Sequence, residues 1–297
     1  MQGVTLAVLL LVCAGPAGAF QVPSAVPARQ VLRHWRWMQR EASAPAQSLS
    51  TRLRMSTKVT VGGPEGQCSI AIPRALKNTY FAVRHGHAVN NLEQLISSAP
   101  SVGTKIHPLT ELGEEQAEAS SSLLCAALET ATERRGKPFT AIQAFTSDFT
   151  RAKQTADICL ESIANMEVSG SVVGKLDAVI KTELRERWFG TLDNTVVTNY
   201  NMVWPQDMQD ARVGVYECES VEQVVSRLDA LLSSVEAEYQ DAAIVFFSHA
   251  DTVQILQTWL SGADVRTFSQ FRFKNGEVRE LLLNDPGSLP PPQPLNL

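Results

Sequence analysis

Four segments of the sequence place cationic or titratable side chains directly after short apolar runs. They are Arg84-His85-Gly86-His87, Thr146-Ser147-Asp148-Phe149-Thr150-Arg151, Glu183-Leu184-Arg185-Glu186-Arg187 and Ser248-His249-Ala250. Guanidinium and imidazole groups gathered at one place bind anions, and a carboxylate among them can hold or release a proton. A single His behind a strand is more often a satisfied polar core residue than a catalyst. Four such segments in register describe a local cationic cluster.

The elements that must position this cluster follow from hydrophobic periodicity. Residues 79–83, 141–145, 177–181, 242–247 and 277–283 read as strands, the third weaker than the rest. The run 242–247 is continuously apolar, as in a strand buried on both faces. Helical spacing runs from a Thr110 cap through Ala117, Leu124, Leu128 and Ala131 to a break at Gly136-Lys137-Pro138. It recurs over 149–164, from a Ser220 cap through Val224, Leu228, Leu231 and Val235, and over 251–260. Residues 90–108 read as loop. Strand alternating with helix predicts an α/β fold with a mainly parallel central sheet covered on both sides. Ligands of such sheets sit beyond the carboxyl ends of the strands, which is where the four segments fall.

The amino-terminal part reads as an address. Residues 1–19 have the form of a signal peptide: an apolar stretch at 4–12, too short to span a bilayer, then the small residues Ala17-Gly18-Ala19, with no Lys or Arg ahead of it. Residues 20–58 carry Arg29, Arg33, Arg36, Arg40, Arg52, Arg54 and Lys58 against one acid, Glu41, with Ser, Ala and Pro between them. That is the composition of a transit peptide. The two segments together resemble the bipartite presequences of algae with secondary plastids and predict delivery to the plastid (chloroplast); secretion with a basic linker is the alternative. A linker at 59–77, a folded domain at 78–285 and a disordered Pro-rich tail at 286–297 complete the expected organisation.

The whole chain carries a net charge of −5. Seven of its 26 basic and one of its 31 acidic residues lie in 1–58, so the remainder carries about −11. This acidity argues against nucleic acid or an anionic membrane as a partner of the mature form. An anion must then be held by a local cluster of cations. Cys13, Cys68, Cys125, Cys159 and Cys218 are dispersed without a C-x-x-C pair, so neither a zinc site nor a disulfide framework is expected.

Val83-Arg84-His85-Gly86, with Asn91 downstream, resembles the RHG signature of the histidine phosphatase superfamily, also called phosphoglycerate mutase-like. Residues Pro108 to Gly113 with Gln116-Ala117 resemble that family's entry into its first helix. Ser147 to Ala156, containing Arg151-Ala152-Lys153-Gln154-Thr155-Ala156, is similar to its second block, and Leu184-Arg185-Glu186-Arg187-Trp188-Phe189-Gly190 to its third. Glu219-Ser220 with Arg227, and then Ser248-His249, close the set. Blocks in order, each in its expected context, are far more specific than three letters alone. The third block and the helix around Val224 look especially like plant and algal phosphoglycerate-mutase-like proteins.

The resemblance implies a three-layer sandwich and a phosphatase of the histidine acid phosphatase type. Such an enzyme hydrolyses a small phosphomonoester through a phosphohistidine, with no metal and no cofactor. It makes His85 the nucleophile and Glu186 the general acid, with Arg84, Asn91, Arg151 and His249 binding the phosphoryl group. Chemistry supports these roles. A neutral imidazole can attack phosphorus and leave again; nearby cations keep it neutral; Arg forks match phosphoryl oxygens. His87 is expected at the pocket rim, and His107 in a loop without partners at metal spacing. Ala88 stands where relatives carry a hydroxyl and Ala250 where they carry Gly, which predicts lowered activity.

The mutase branch must grip a second anionic end, through a paired-Arg segment downstream of the acid. Residues 191–220 hold one base, Arg212, against Asp193, Asp207, Asp210, Glu217 and Glu219. An acidic lid repels a second carboxylate or phosphate. Hydrolysis is therefore expected, on a substrate whose other part is neutral or apolar and faces Trp188, Phe189, Tyr200, Trp204 and Tyr216. A cofactor-dependent phosphoglycerate mutase-type phosphotransferase and a non-catalytic phospho-ligand binding module are the alternatives. A homodimer is left open.

Overall fold

The computed structural model describes residues 61–164, 166–168, 171–172 and 174–295. The segments read as signal and transit peptide lie outside the described residues. The principal elements are β1 (Thr79–Arg84), α1 (Glu111–Arg135), β2 (Ile142–Thr146), α2 (Thr150–Ile163), β3 (Val179–Ile180), α3 (Tyr200–Asp207), α4 (Val221–Glu238), β4 (Ala243–Ser248), α5 (Ala250–Leu260) and β5 (Val278–Leu281). The sheet order is β3-β2-β4-β1-β5; every pairing is parallel except that of β1 with β5.

The pleat of the strands builds two cores. Tyr80, Ala82, Ile244 and Phe246 face α4 and α5, whereas Phe81, Val83, Val245 and Phe247 face α1 and α2. Alternate side chains of a strand point to opposite faces, so a central strand needs apolar residues at every position; all six of β4 are buried. Helices on both faces complete the expected three-layer α/β sandwich. The caps also hold. Thr110 Oγ1 accepts from the Gly113 N–H at 3.2 Å, and α1 ends at Gly136 with φ 67°. Ser220 and Gln223 form a reciprocal capping box at the start of α4.

The structure departs from the sequence reading at the margins. The third strand shrinks to two exposed residues at the sheet edge, since no neighbour beyond it buries that side. Residues 90–108, read as loop, contain two one-turn helices, Val89–Leu92 and Pro100–Gly103. The tail, expected to be disordered, is held through residue 295: Gln293 N–H donates to Gln270 O and Arg272 Nη2 to Pro294 O, each at 2.8 Å. Proline lacks an N–H but keeps its carbonyl, and a guanidinium supplies the donor. The segment read as linker is strapped down as well, by Gly62 N–H to Met208 O and Trp259 Nε1 to Ile70 O.

One close approach ties the loop after β1 to α1. A Cβ on Gly113 would lie 1.9 Å from the His87 carbonyl oxygen, and one on Gly86 would lie 2.3 Å from that of Gly113. Neither backbone can yield without moving the loop that carries His85. Gly113→Ala is expected to destabilise the fold by about 1–3 kcal/mol, the usual cost of overpacking, measured as a lowered unfolding midpoint in urea; an unchanged midpoint would show that the contact is slack.

Candidate active site

The strand ends are in register, with Arg84 beside Ser248 and Thr146 beside Phe247. The residues that follow them therefore emerge together at one edge. The His85 N–H donates to Ser248 O at 2.9 Å, and its carbonyl accepts from Asn275 Nδ2 at 3.0 Å. Arg151 lies in the first turn of α2 and His249 is the N-cap of α5. Two helix N-termini, with their positive dipole ends, thus point to the same edge.

His85 is 2 % exposed. Its Nδ1 lies 2.7 Å from Gly86 O, and a carbonyl can only accept, so this nitrogen carries the proton. Nε2 is then left with its lone pair, and Arg151 Nε donates to it at 3.1 Å. Burial, reinforced by Arg151 and Arg84, holds the His85 pKa well below the usual imidazole value. The imidazole is neutral at physiological pH for that reason, burial mattering more than the neighbouring cations. His249, whose ring centre is 5.2 Å from that of His85, is likewise held neutral by burial and by Arg151. Its Nε2 meets Ser147 Oγ at 2.9 Å, while its Nδ1 is buried with no partner. Arg84 donates through Nη1 to Phe273 O at 2.7 Å, and its buried Nε has no partner either.

The arginines of the sequence blocks divide into two groups. Arg185 forks onto Asp148 at 2.9 and 2.6 Å, Arg187 onto Asp207 at 2.6 and 2.7 Å, and Arg227 onto Glu219 at 2.8 and 3.1 Å. Arg84 and Arg151 form no carboxylate salt bridge among the described residues. Two orphaned nitrogens and two cations without a counter-ion therefore surround one neutral imidazole, which is the arrangement a small oxyanion requires.

Glu186 is 8 % exposed, which excludes a surface ion pair with its neighbours Arg185 and Arg187. Burial raises its pKa against the opposing pull of Arg151, the Arg187 N–H and Arg84. Its Oε1 accepts from Arg187 N–H at 3.0 Å and lies 3.4 Å from both Thr252 N and Thr252 Oγ1. Asp251, unassigned by sequence reasoning, completes an acid pair. It is 2 % exposed, accepts from Trp204 Nε1 at 3.2 Å and stands 3.6 Å from Arg187, whose fork is already occupied by Asp207. Burial and the Glu186 charge push its pKa up to about 7. The one charged residue in a fully buried stretch of helix was the available signal.

Other residues take different places from those expected. Asn91 Oδ1 accepts from Ala88 N–H at 3.0 Å and caps a one-turn helix, and no hydrogen bond in the structure joins Asn91 to Arg84, His85, Arg151 or His249. His87, half-buried, meets Thr110 Oγ1 through its Nδ1 at 2.9 Å and braces the start of α1. Ser97, read only as loop, accepts from both Arg151 Nη groups and meets His107 Nδ1 at 2.8 Å. Phe189 and Trp204 are core. Of the five aromatics, only Trp188 lines the cavity beside Glu186. No three His, Cys, Asp or Glu side chains among the described residues are grouped to hold a metal, and no helix among them is long and apolar enough to cross a membrane.

Residues 80–288 match the histidine phosphatase superfamily (branch 1), and the chain belongs to that family. Among solved structures it is similar to a mycobacterial hydrolase, with 19 % identity over 69 % of this chain and 88 % of that one and a TM-score of 0.51. It is similar to a mycobacterial glucosyl-3-phosphoglycerate phosphatase, solved with VO3, with 20 % identity over 69 % and 92 % and a TM-score of 0.50. An alpha-ribazole phosphatase from Shigella flexneri gives 20 % identity over 74 % and 98 % and a TM-score of 0.47. At these identities the likeness is one of fold. No curated protein sequence matches the chain.

The raised Asp251 pKa carries a stability prediction. A carboxyl whose folded-state pKa lies above its unfolded value of 3.8 binds more protons when folded, so its contribution falls as pH rises toward about 7. Denaturant titrations from pH 4 to pH 8 are expected to show that decline in the wild type and a shallower one in Asp251→Asn. Parallel curves would place Asp251 outside the titrating pair.

Proposed function

We propose that the chain is a phosphomonoester hydrolase working through a phosphohistidine at His85. The observation that carries this reading is the neutral, buried His85 flanked by Arg84 and Arg151, two guanidiniums without carboxylate partners. The Nε2 lone pair of His85 attacks phosphorus and the bond to the ester oxygen breaks. Glu186, whose hold on a proton is strengthened by burial, gives that proton to the departing oxygen. Glu186 then takes a proton from water, whose oxygen displaces phosphate from His85. Arg84, Arg151 and His249 stabilise the equatorial oxygens in both steps. Asn91 has the weakest claim to a share in this, since its carbonyl is spent on the cap.

Hydrolysis is favoured over transfer to a second substrate by the supply of cations. The bases near Glu186 that could grip another anionic group, Arg185, Arg212 and Arg227, are already paired with Asp148, Asp210 and Glu219. Plastid delivery by residues 1–58 is part of the same proposal, and a fluorescent fusion of those residues that left the cell would overturn it.

His85→Ala is expected to lower p-nitrophenyl phosphate turnover by at least a thousandfold, on the scale of losing a nucleophile. Glu186→Gln should accumulate phosphate on His85, visible as an acid-labile mass addition. Turnover unchanged in His85→Ala would favour a phospho-ligand binding module. A strong preference for a sugar bisphosphate over the aryl ester would favour the mutase-type phosphotransferase.

A further inference from the structure

Beside Glu186 the surface opens into a cavity of about 1050 Å3, and none of Arg84, His85, Arg151 or His249 lines it. His85, Arg151 and His249 are no more than 2 % exposed. The space for a phosphoryl group and the space for the rest of a substrate are therefore separate, with Glu186 on their common wall. Oε1 of Glu186 is occupied by Arg187 and Thr252; Oε2 takes no hydrogen bond from the described residues. A carboxyl group over nine-tenths buried thus presents one free oxygen where a leaving alcohol would emerge.

The charge of this cavity is decided by which of its groups are already paired. Its three arginines are all engaged: Arg185 with Asp148 at 2.6 Å, Arg212 with Asp210 at 2.8 Å and Arg227 with Glu219 at 2.8 Å. Glu183, Glu217 and Glu222 also line it and form no salt bridge among the described residues. Glu222 accepts from the Ser69 N–H, which leaves its charge in place. Trp188, 39 % exposed, adds an aromatic wall. A cavity lined by unpaired carboxylates and an indole favours an ammonium group and repels a second anion.

We infer that this cavity is the leaving-group subsite and that it selects phosphomonoesters whose alcohol carries a protonated amine. The inference rests on the hydrolase reading above and names its substrate class. It departs from the apolar subsite expected of the sequence, because Phe189 and Trp204 are spent in the core. The ammonium would sit against Trp188 between Glu183 and Glu217, while the ester oxygen faces Glu186. Three half-buried or exposed carboxylates act through partly wet space, so salt should weaken the preference.

A matched series separates the possibilities: aminohexyl, hydroxyhexyl and carboxypentyl phosphate, with p-nitrophenyl phosphate to report the chemistry alone. The expected kcat/KM for the amine is about tenfold above that for the alcohol, the scale of one ion pair at a protein surface, and the carboxylate falls below both. The amine-to-alcohol ratio should collapse toward one in Glu183→Gln/Glu217→Gln and at high salt. A ratio at or below one in the wild type, or one that the double variant leaves unmoved, overturns the inference while p-nitrophenyl phosphate turnover keeps the hydrolase reading. If no ester in the series is hydrolysed, the hydrolase reading fails and the subsite assignment fails with it.

Discussion

Two guanidinium groups, Arg84 and Arg151, lie in the protein without a carboxylate to balance them, and much of the site follows from that. An isolated cation is costly to desolvate, and burial lowers the Arg151 pKa to about 10. The fold tolerates the cost by supplying neutral acceptors: Phe273 O for Arg84, and Ser97 O and Oγ with His85 Nε2 for Arg151. Carbonyls and lone pairs satisfy N–H groups without cancelling charge. The positive potential therefore stays available to an incoming anion, and the same potential adds to burial in keeping His85 unprotonated.

The rest of the arginine chemistry in this region is structural. Arg187 is fully buried and forks onto Asp207 while its Nε donates to Glu219 O, so it welds α3 to the segment after β3. Breaking such a pair would leave an uncompensated charge inside. Arg227 reaches Glu183 O and Glu219, joining α4 to the same segment. These bonds fix the backbone on either side of Glu186, so its carboxyl can stay buried with one oxygen held and the other open. Rigid second neighbours of this kind decide whether an acid lies within reach of a leaving oxygen.

The acids downstream of Glu186 have unlike roles despite their common charge. Asp193 accepts from Ser98 N–H, Ser98 Oγ and Ala99 N–H, closing the strap that carries Ser97. Asp207 neutralises Arg187 and Asp210 engages Arg212. Reading 191–220 as a uniformly acidic lid therefore overstates its field; of its acids only Glu217 and Glu219 line the cavity, and Glu219 is paired. Asp251 adds a buried acid that no lid would predict, from the first turn of α5 beside His249.

By itself the sequence determined the layered α/β architecture, because alternation of period-2 and period-3.6 runs with Thr110, Gly136 and Ser220 at helix ends is a local signal. It also determined that Arg84, His85, Arg151, Glu186 and His249 gather toward one edge, because each lies at or beyond the carboxyl end of a strand in a mainly parallel sheet. Tertiary structure decided which of these side chains keep their charge. Pairings such as Arg187 with Asp207, Arg185 with Asp148 or Trp204 with Asp251 join residues distant in sequence, and no periodicity encodes them. It likewise decided that Ser97 meets Arg151, that Asn91 caps a turn and that the Pro-rich tail is tied to Arg272. Desolvation and hydrogen-bond satisfaction are properties of a filled volume, and only the folded chain specifies what fills it.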